Sequence, residues 1–132
     1  MASIRPIVVD EQNCELEGWA DAAPGAVTWR TLLSADRTPT SDMTVGVAEI
    51  APGAADQGVA HRHPPAEVYY ILAGEGVVTI DGVEHPVRSG STLFIPGNAW
   101  HRTRNTGAGT LRLFYVFAVD SFADVEYTFA TG

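Results

Sequence analysis

The chain has 132 residues, 45% of them hydrophobic and 18% charged, enough for one compact domain with a real core and incompatible with a disordered chain. Its net charge of −8 repels a nucleic-acid backbone, and no apolar run reaches the roughly 20 residues needed to cross a bilayer. All eight basic residues are arginine, which excludes Schiff-base chemistry, a covalently held pyridoxal cofactor and a Walker-type phosphate loop.

The segment MASIRPIVVDEQ has no apolar signal core, so cytoplasmic residence is expected. Residues 1–25 read as an N-terminal arm, with a short turn near Glu15 to Ala20. Cys14 has no second cysteine to pair with and reads as an idle thiol. VTWRTLL (Val27 to Leu33) and MTVGVAEI (Met43 to Ile50) read as strands, the second ended by Pro52 and Gly53. EVYYILA (Glu67 to Ala73) is rich in β-branched and aromatic residues and reads as a third. Gly74-Glu75-Gly76 turns the chain, VVTI follows, and Asp81-Gly82 is a hairpin signal. VEHPV, TLFI, HRTRN and LRLFYVFAV complete a series of short strands with no long helical period. The expectation is an all-β fold, a closed or sandwiched antiparallel structure, in a single domain over residues 1–132 with its core at about 43–119. Arg88, Arg102, Arg104 and Arg112 read as a solvated outer face.

Three of the four histidines carry the chemistry. HRHPPAE places His61 and His63 two residues apart, on one face of a strand, with Glu67 close behind. His101 follows in a later strand. Three imidazoles and a carboxylate form an open site for one divalent transition metal (Fe, Mn, Ni or Zn), with positions left for substrate or water. His85, beside the Asp81-Gly82 turn, reads as a surface residue. Alternation places Tyr69 and Ile71 on the face of Glu67, with Tyr70 turned away. A phenol near a divalent cation ionises more readily, so Tyr69 is a candidate general base. Thr103 and Asn105 share a face with His101, and Asn105 reads as a residue that fixes a turn or a neighbouring strand.

These residues resemble two sequence motifs of the cupin superfamily. The first, G-x5-H-x-H-x3,4-E-x6-G, is matched by His61, His63, Glu67 and Gly74, with Ala55 in the place of the leading glycine. The second, G-x5-P-x-G-x2-H-x3-N, is matched by Gly90, Pro96, His101 and Asn105, with Asn98 where the second glycine is expected. Asparagine tolerates left-handed backbone and can serve there. The resemblance implies a jelly-roll β-barrel with a metal held by His61, His63, Glu67 and His101. It also implies a homodimer, paired through an N-terminal arm or an exposed sheet edge.

A narrower likeness spans nearly the whole chain. VTWRTLL, GVAEIAPG, HPPAEVYY, PGNAWH, TRNTGAGTL and VDSFADVEYTF look like the short single-cupin dimethylsulfoniopropionate lyases. That likeness implies that Tyr69 and Tyr127 both belong to the active site as catalytic residues. It also implies aromatic walls for a cationic leaving group, with Trp29, Trp100, Phe114, Tyr115 and Tyr127 as candidates. Trp100, just before His101, is bulky for its place. Three other readings stand beside the lyase: a cupin dioxygenase, a cupin cyclase or isomerase, and a non-catalytic cupin that binds a small molecule.

Overall fold

The structure is a computed structural model and describes residues 5–19, 27–56 and 59–130. The strands are β1 (Leu16–Glu17), β2 (Val27–Leu33), β3 (Thr44–Ile50), β4 (His61–Arg62), β5 (Glu67–Ala73) and β6 (Glu75–Ile80). They continue with β7 (Val83–Arg88), β8 (Thr92–Ile95), β9 (His101–Asn105), β10 (Leu111–Phe117) and β11 (Thr128–Phe129). Short 3-10 turns occupy Glu11–Asn13 and Phe122–Asp124. One antiparallel sheet runs β1-β2-β3-β10-β5-β8 and the other β11-β4-β9-β6-β7. This is the all-β, jelly-roll architecture expected from the sequence.

Period-two patterning sets which face is buried. In β10, Leu111, Leu113, Tyr115 and Phe117 are buried, while Arg112, Phe114 and Val116 alternate with them toward the outside. In β5, Glu67, Tyr69 and Ile71 are buried and Tyr70 is 44% exposed, as alternation requires. The two strands lie side by side, with Tyr115 opposite Tyr69 and Phe117 opposite Glu67. The inner faces of β5 and β10 therefore form one continuous wall. Val78 of β6 and Val87 of β7 pack against it from the other sheet.

The turns follow their residues. Asp81 and Gly82 both have positive φ, and they join Ile80 directly to its partner Val83 in a two-residue hairpin. Asn98 takes the left-handed conformation at φ 64°, the role usually given to glycine. Asn105 fixes a turn and a neighbouring strand together. Its Nδ2 donates to the carbonyls of Ile50 and Gly109, each at 2.8 Å, and its Oδ1 accepts from Gly107 N–H at 2.9 Å.

The sequence reading places a short turn near Glu15 to Ala20, and the structure differs. Leu16 and Glu17 are an edge strand paired with Arg30 and Trp29. The Glu17 carboxylate accepts hydrogen bonds from Thr31 at 2.7 Å and Arg37 at 2.7 and 2.9 Å, which hold that edge in place. Residues 1–4 and 20–25 of the expected arm lie outside the described residues. His85 is exposed as expected, and Cys14 is half-buried. The arginines of the outer face are partly engaged: Arg104 pairs with Glu84 at 3.2 Å, and Arg112 pairs with Glu11 and with Glu49. Among the described residues, no helix is long and apolar enough to cross a membrane.

Candidate metal centre

Strand pairing brings the histidines together. His61 on β4 lies opposite His101 on β9, and its ring centroid is 4.2 Å from that of His101. His63 follows two residues on, with its ring 4.9 Å from His101. All three are buried, and their ligand nitrogens lie within 4.8 Å of one another. Glu67, at the start of β5 in the opposite sheet, reaches across. Its Oε1 stands 3.3 Å from His63 Nε2 and 3.5 Å from His101 Nε2.

The outer hydrogen bonds fix which nitrogen faces inward. His63 Nδ1 lies 2.9 Å from the Pro65 carbonyl, and His101 Nδ1 lies 2.8 Å from the Ala99 carbonyl. A carbonyl only accepts, so each Nδ1 carries a proton and donates it. In neutral imidazoles both Nε2 lone pairs then face the Glu67 oxygen, acceptor toward acceptor. Both Nε2 atoms, and Nδ1 of His61, are buried without a hydrogen-bond partner. Orphaned buried acceptors of this kind call for a cation between them. A metal with bonds of about 2.1 Å sets its ligands roughly 3 to 4 Å apart, close to the spacing here. The donor set of three imidazoles and one carboxylate fits a divalent transition metal.

Electrostatics follow the same geometry. Burial, reinforced by His101 and His63, lowers the His61 pKa to about 3 and keeps it neutral. For His101 burial acts downward, but the Glu67 carboxylate 3.5 Å from Nε2 and the hydrogen bond from Nδ1 to the Ala99 carbonyl outweigh it and raise the pKa. Tyr69 and Tyr127 are both pushed well above the ordinary phenol value, first by burial and then by the Glu67 charge. The protein's own charges thus oppose phenolate formation, and only an added positive charge would reverse them.

A cavity opens beside the histidines. Val27, Trp29, Ala48 and Ile50 line it from β2 and β3, and Leu113, Tyr115 and Phe117 from β10. His61, Glu67 and Tyr69 form its polar end. Tyr127 also lines it, its ring 5.3 Å from His63 and 5.5 Å from His61. The Tyr69 ring is 6.5 Å from His101. Of the five aromatic candidates, Trp29, Tyr115 and Tyr127 line the cavity. Trp100 does not; it lies under the Arg62 guanidinium, 4.5 Å from the ring centre. Phe114 sits on the alternate face of β10.

Sequence reasoning missed Asp56, Trp19, Phe117 and Phe122, all of which line the cavity. Phe117 could have been found by extending the alternation of β10. Trp19 and Phe122 enter through contacts between distant segments: Trp19 lies 5.3 Å from Tyr127, and Phe122 stacks on Trp29 at 6.1 Å. No local pattern announces such contacts.

The cupin domain family (Cupin_2) matches residues 46–117. The chain is 45% identical over 127 residues to the dimethylsulfoniopropionate lyase DddW of Ruegeria pomeroyi, covering 96% of this chain and 82% of that protein. It is 38% identical to Protein SchB of Streptomyces halstedii over 80% of this chain and 78% of that one. The crystal structure of the polyketide cyclase RemF from Streptomyces resistomycificus superposes with a TM-score of 0.75 at 20% identity, over 96% of this chain and 88% of that one. The motif residues, the two-sheet barrel with histidines converging inside it and these likenesses agree that the chain belongs to the cupin family.

Proposed function

We propose that this protein is a metal-dependent lyase that cleaves dimethylsulfoniopropionate to dimethyl sulfide and acrylate. The observation that carries the reading is its 45% identity, along 96% of the chain, to a dimethylsulfoniopropionate lyase. The site supports it with three imidazoles, a carboxylate and two buried tyrosines around one cavity.

His61, His63, Glu67 and His101 would hold the metal. A divalent cation there supplies a Lewis-acid contact for the substrate carboxylate and a positive charge that offsets the effect of Glu67 on the two phenols. In the β-elimination a base takes the proton from the carbon next to the carboxylate. The electron pair forms the new carbon–carbon double bond, and the carbon–sulfur bond breaks with its electrons leaving on sulfur. Tyr69, two residues beyond Glu67 on the same face of β5, is the base in this reading. Tyr127 lines the same cavity beside His61 and His63, and its phenolate oxygen is the alternative proton acceptor. Trp29, Tyr115 and Tyr127 line the cavity and would give a cationic sulfur an aromatic wall.

The test is direct. Metal-loaded protein is incubated with dimethylsulfoniopropionate, and dimethyl sulfide and acrylate are measured by chromatography. Product well above a metal-stripped control is expected, and none would end the reading. Tyr69→Phe should lower kcat by about 10²- to 10⁴-fold with metal content unchanged. If Tyr127→Phe takes the larger loss instead, the base is Tyr127.

The same proposal includes cytoplasmic residence and a homodimer. The outer face of β5 and the edge strand β8 leave Tyr70, Leu72 and Phe94 exposed, with Phe94 66% accessible. An apolar sheet edge of this kind is a pairing surface that a second copy would cover.

A further inference from the structure

The cavity has a second carboxylate that the metal centre does not account for. Asp56 lies in the connection between β3 and β4 and lines the cavity together with Tyr69, Tyr127, Trp19 and Trp29. It is pinned to β9. Its N–H donates to the Thr103 carbonyl at 2.9 Å, and its Oδ1 accepts from the Thr103 N–H at 3.0 Å. The neighbouring Ala55 forms a bridge with Arg104. The carboxylate is therefore held by backbone two residues beyond His101, while Glu67 faces the imidazoles of His63 and His101.

The charge balance of the walls is one-sided. Lysine is absent from the chain, and no arginine is among the described residues that line the cavity. The fixed charges there are Asp56 and Glu67, set among aromatic rings. The Asp56 charge is felt at Tyr69, Tyr127 and His101, so it acts on the interior of the site and not only on solvent. Trp19 and Trp29 stand 5.2 Å apart at a tilt of 58°, and Tyr127 meets Trp19 edge-on. Aromatic faces beside a carboxylate attract a weakly hydrated organic cation and give a neutral group of equal shape only apolar contact.

We propose that Asp56, with Trp19, Trp29 and Tyr127, forms a subsite for the cationic head of a zwitterionic substrate and sets selectivity for onium carboxylates over neutral isosteres. This rests on the reading of the site as one that takes a small carboxylate at the histidine end. Asp56 in this role is a specificity-determining residue, and proton transfer is left to the tyrosines.

The test reads binding, not turnover. Two probes of matched shape are titrated calorimetrically into the full-length, metal-loaded protein: 3-(trimethylammonio)propanoate and its all-carbon analogue 4,4-dimethylpentanoate. The wild type should bind the ammonium compound about tenfold more tightly than the hydrocarbon. Asp56→Asn keeps an oxygen to accept from Thr103 N–H but loses the charge. It should reduce that preference about fivefold or more, with hydrocarbon binding unchanged. Asp56→Glu should restore most of it. Equal binding of both probes by the wild type, failure of the ammonium probe to bind, or an unchanged preference in Asp56→Asn would each overturn the proposal. The wild-type comparison alone decides if neither variant folds. Because no product is measured, selective binding without dimethyl sulfide formation would refute the lyase reading and leave the subsite standing.

Discussion

At the scale of single residues, the histidine cluster is a pH-sensitive element of stability. His61 is held neutral in the fold, with a pKa of about 3 against an ordinary 6.5. Between those values the unfolded chain binds a proton that the folded chain refuses, so stability is full above 6.5 and declines as pH falls toward 3. His101 has the opposite sign, because its raised pKa adds stability below 6.5 that disappears as pH rises through the folded value. The His61 shift is the larger, and its sign should prevail. Metal-stripped protein is expected to show a lower denaturation midpoint at pH 4.5 than at pH 7, and His61→Asn should flatten that slope. A midpoint that rises on acidification would contradict the burial of a neutral His61. The histidine cluster was legible in the sequence because period-two alternation and the two motifs both act over short spans. Asp56 and Trp19 were not legible. Their place in the cavity depends on Thr103 and Tyr127, far away in sequence, and an isolated aspartate or tryptophan carries no periodic signal.

At the scale of elements, the strands fell where β-branched and aromatic runs placed them. β2, β5, β8 and β9 match the expected VTWRTLL, EVYYILA, TLFI and HRTRN segments. The interval before β2 was harder to read. The two-residue strand β1 is too short for any pattern, and it exists because Arg30 donates to the Cys14 carbonyl while Arg37 and Thr31 hold Glu17. The approach of β3 to β10 is a further feature that only the packing reveals. Gly46 lies opposite Tyr115, and a Cβ there would sit 2.2 Å from the Tyr115 hydroxyl oxygen and 2.8 Å from the Arg30 carbonyl oxygen. The missing side chain lets the Tyr115 ring lie across β3 and face the cavity. Gly46→Ala should therefore destabilise the protein by about 1 to 3 kcal/mol in urea denaturation. It should also raise KM, because Tyr115 must shift into the space used by substrate. An alanine variant as stable as the wild type would show that the ring has room to move elsewhere.

At the scale of the whole molecule, the two sheets divide the labour. The five-stranded sheet carries His61 on β4 and His101 on β9, with His63 just beyond β4, and the six-stranded sheet supplies Glu67, Tyr69 and most of the apolar wall. The outer face of the six-stranded sheet exposes Tyr70, Leu72 and Phe94 near its β8 edge. Light scattering should report about twice the 14.1 kDa chain mass, and Phe94→Glu, at the edge strand, should shift the protein toward one chain mass. A wild-type monomer at micromolar concentration would remove the dimer. One last consequence follows from β11, whose Thr128 and Phe129 pair with Arg62 and His61. Among the described residues, only these two residue pairs join β11 to the sheet, and β4 itself meets β9 at the single pair His61 and His101, so this margin should fray before the interior does. Amide hydrogen exchange at residues 61–62 and 128–129 should therefore run well ahead of exchange in β5 and β10, and equal protection of all four strands would show that the margin is held by more than its ladder.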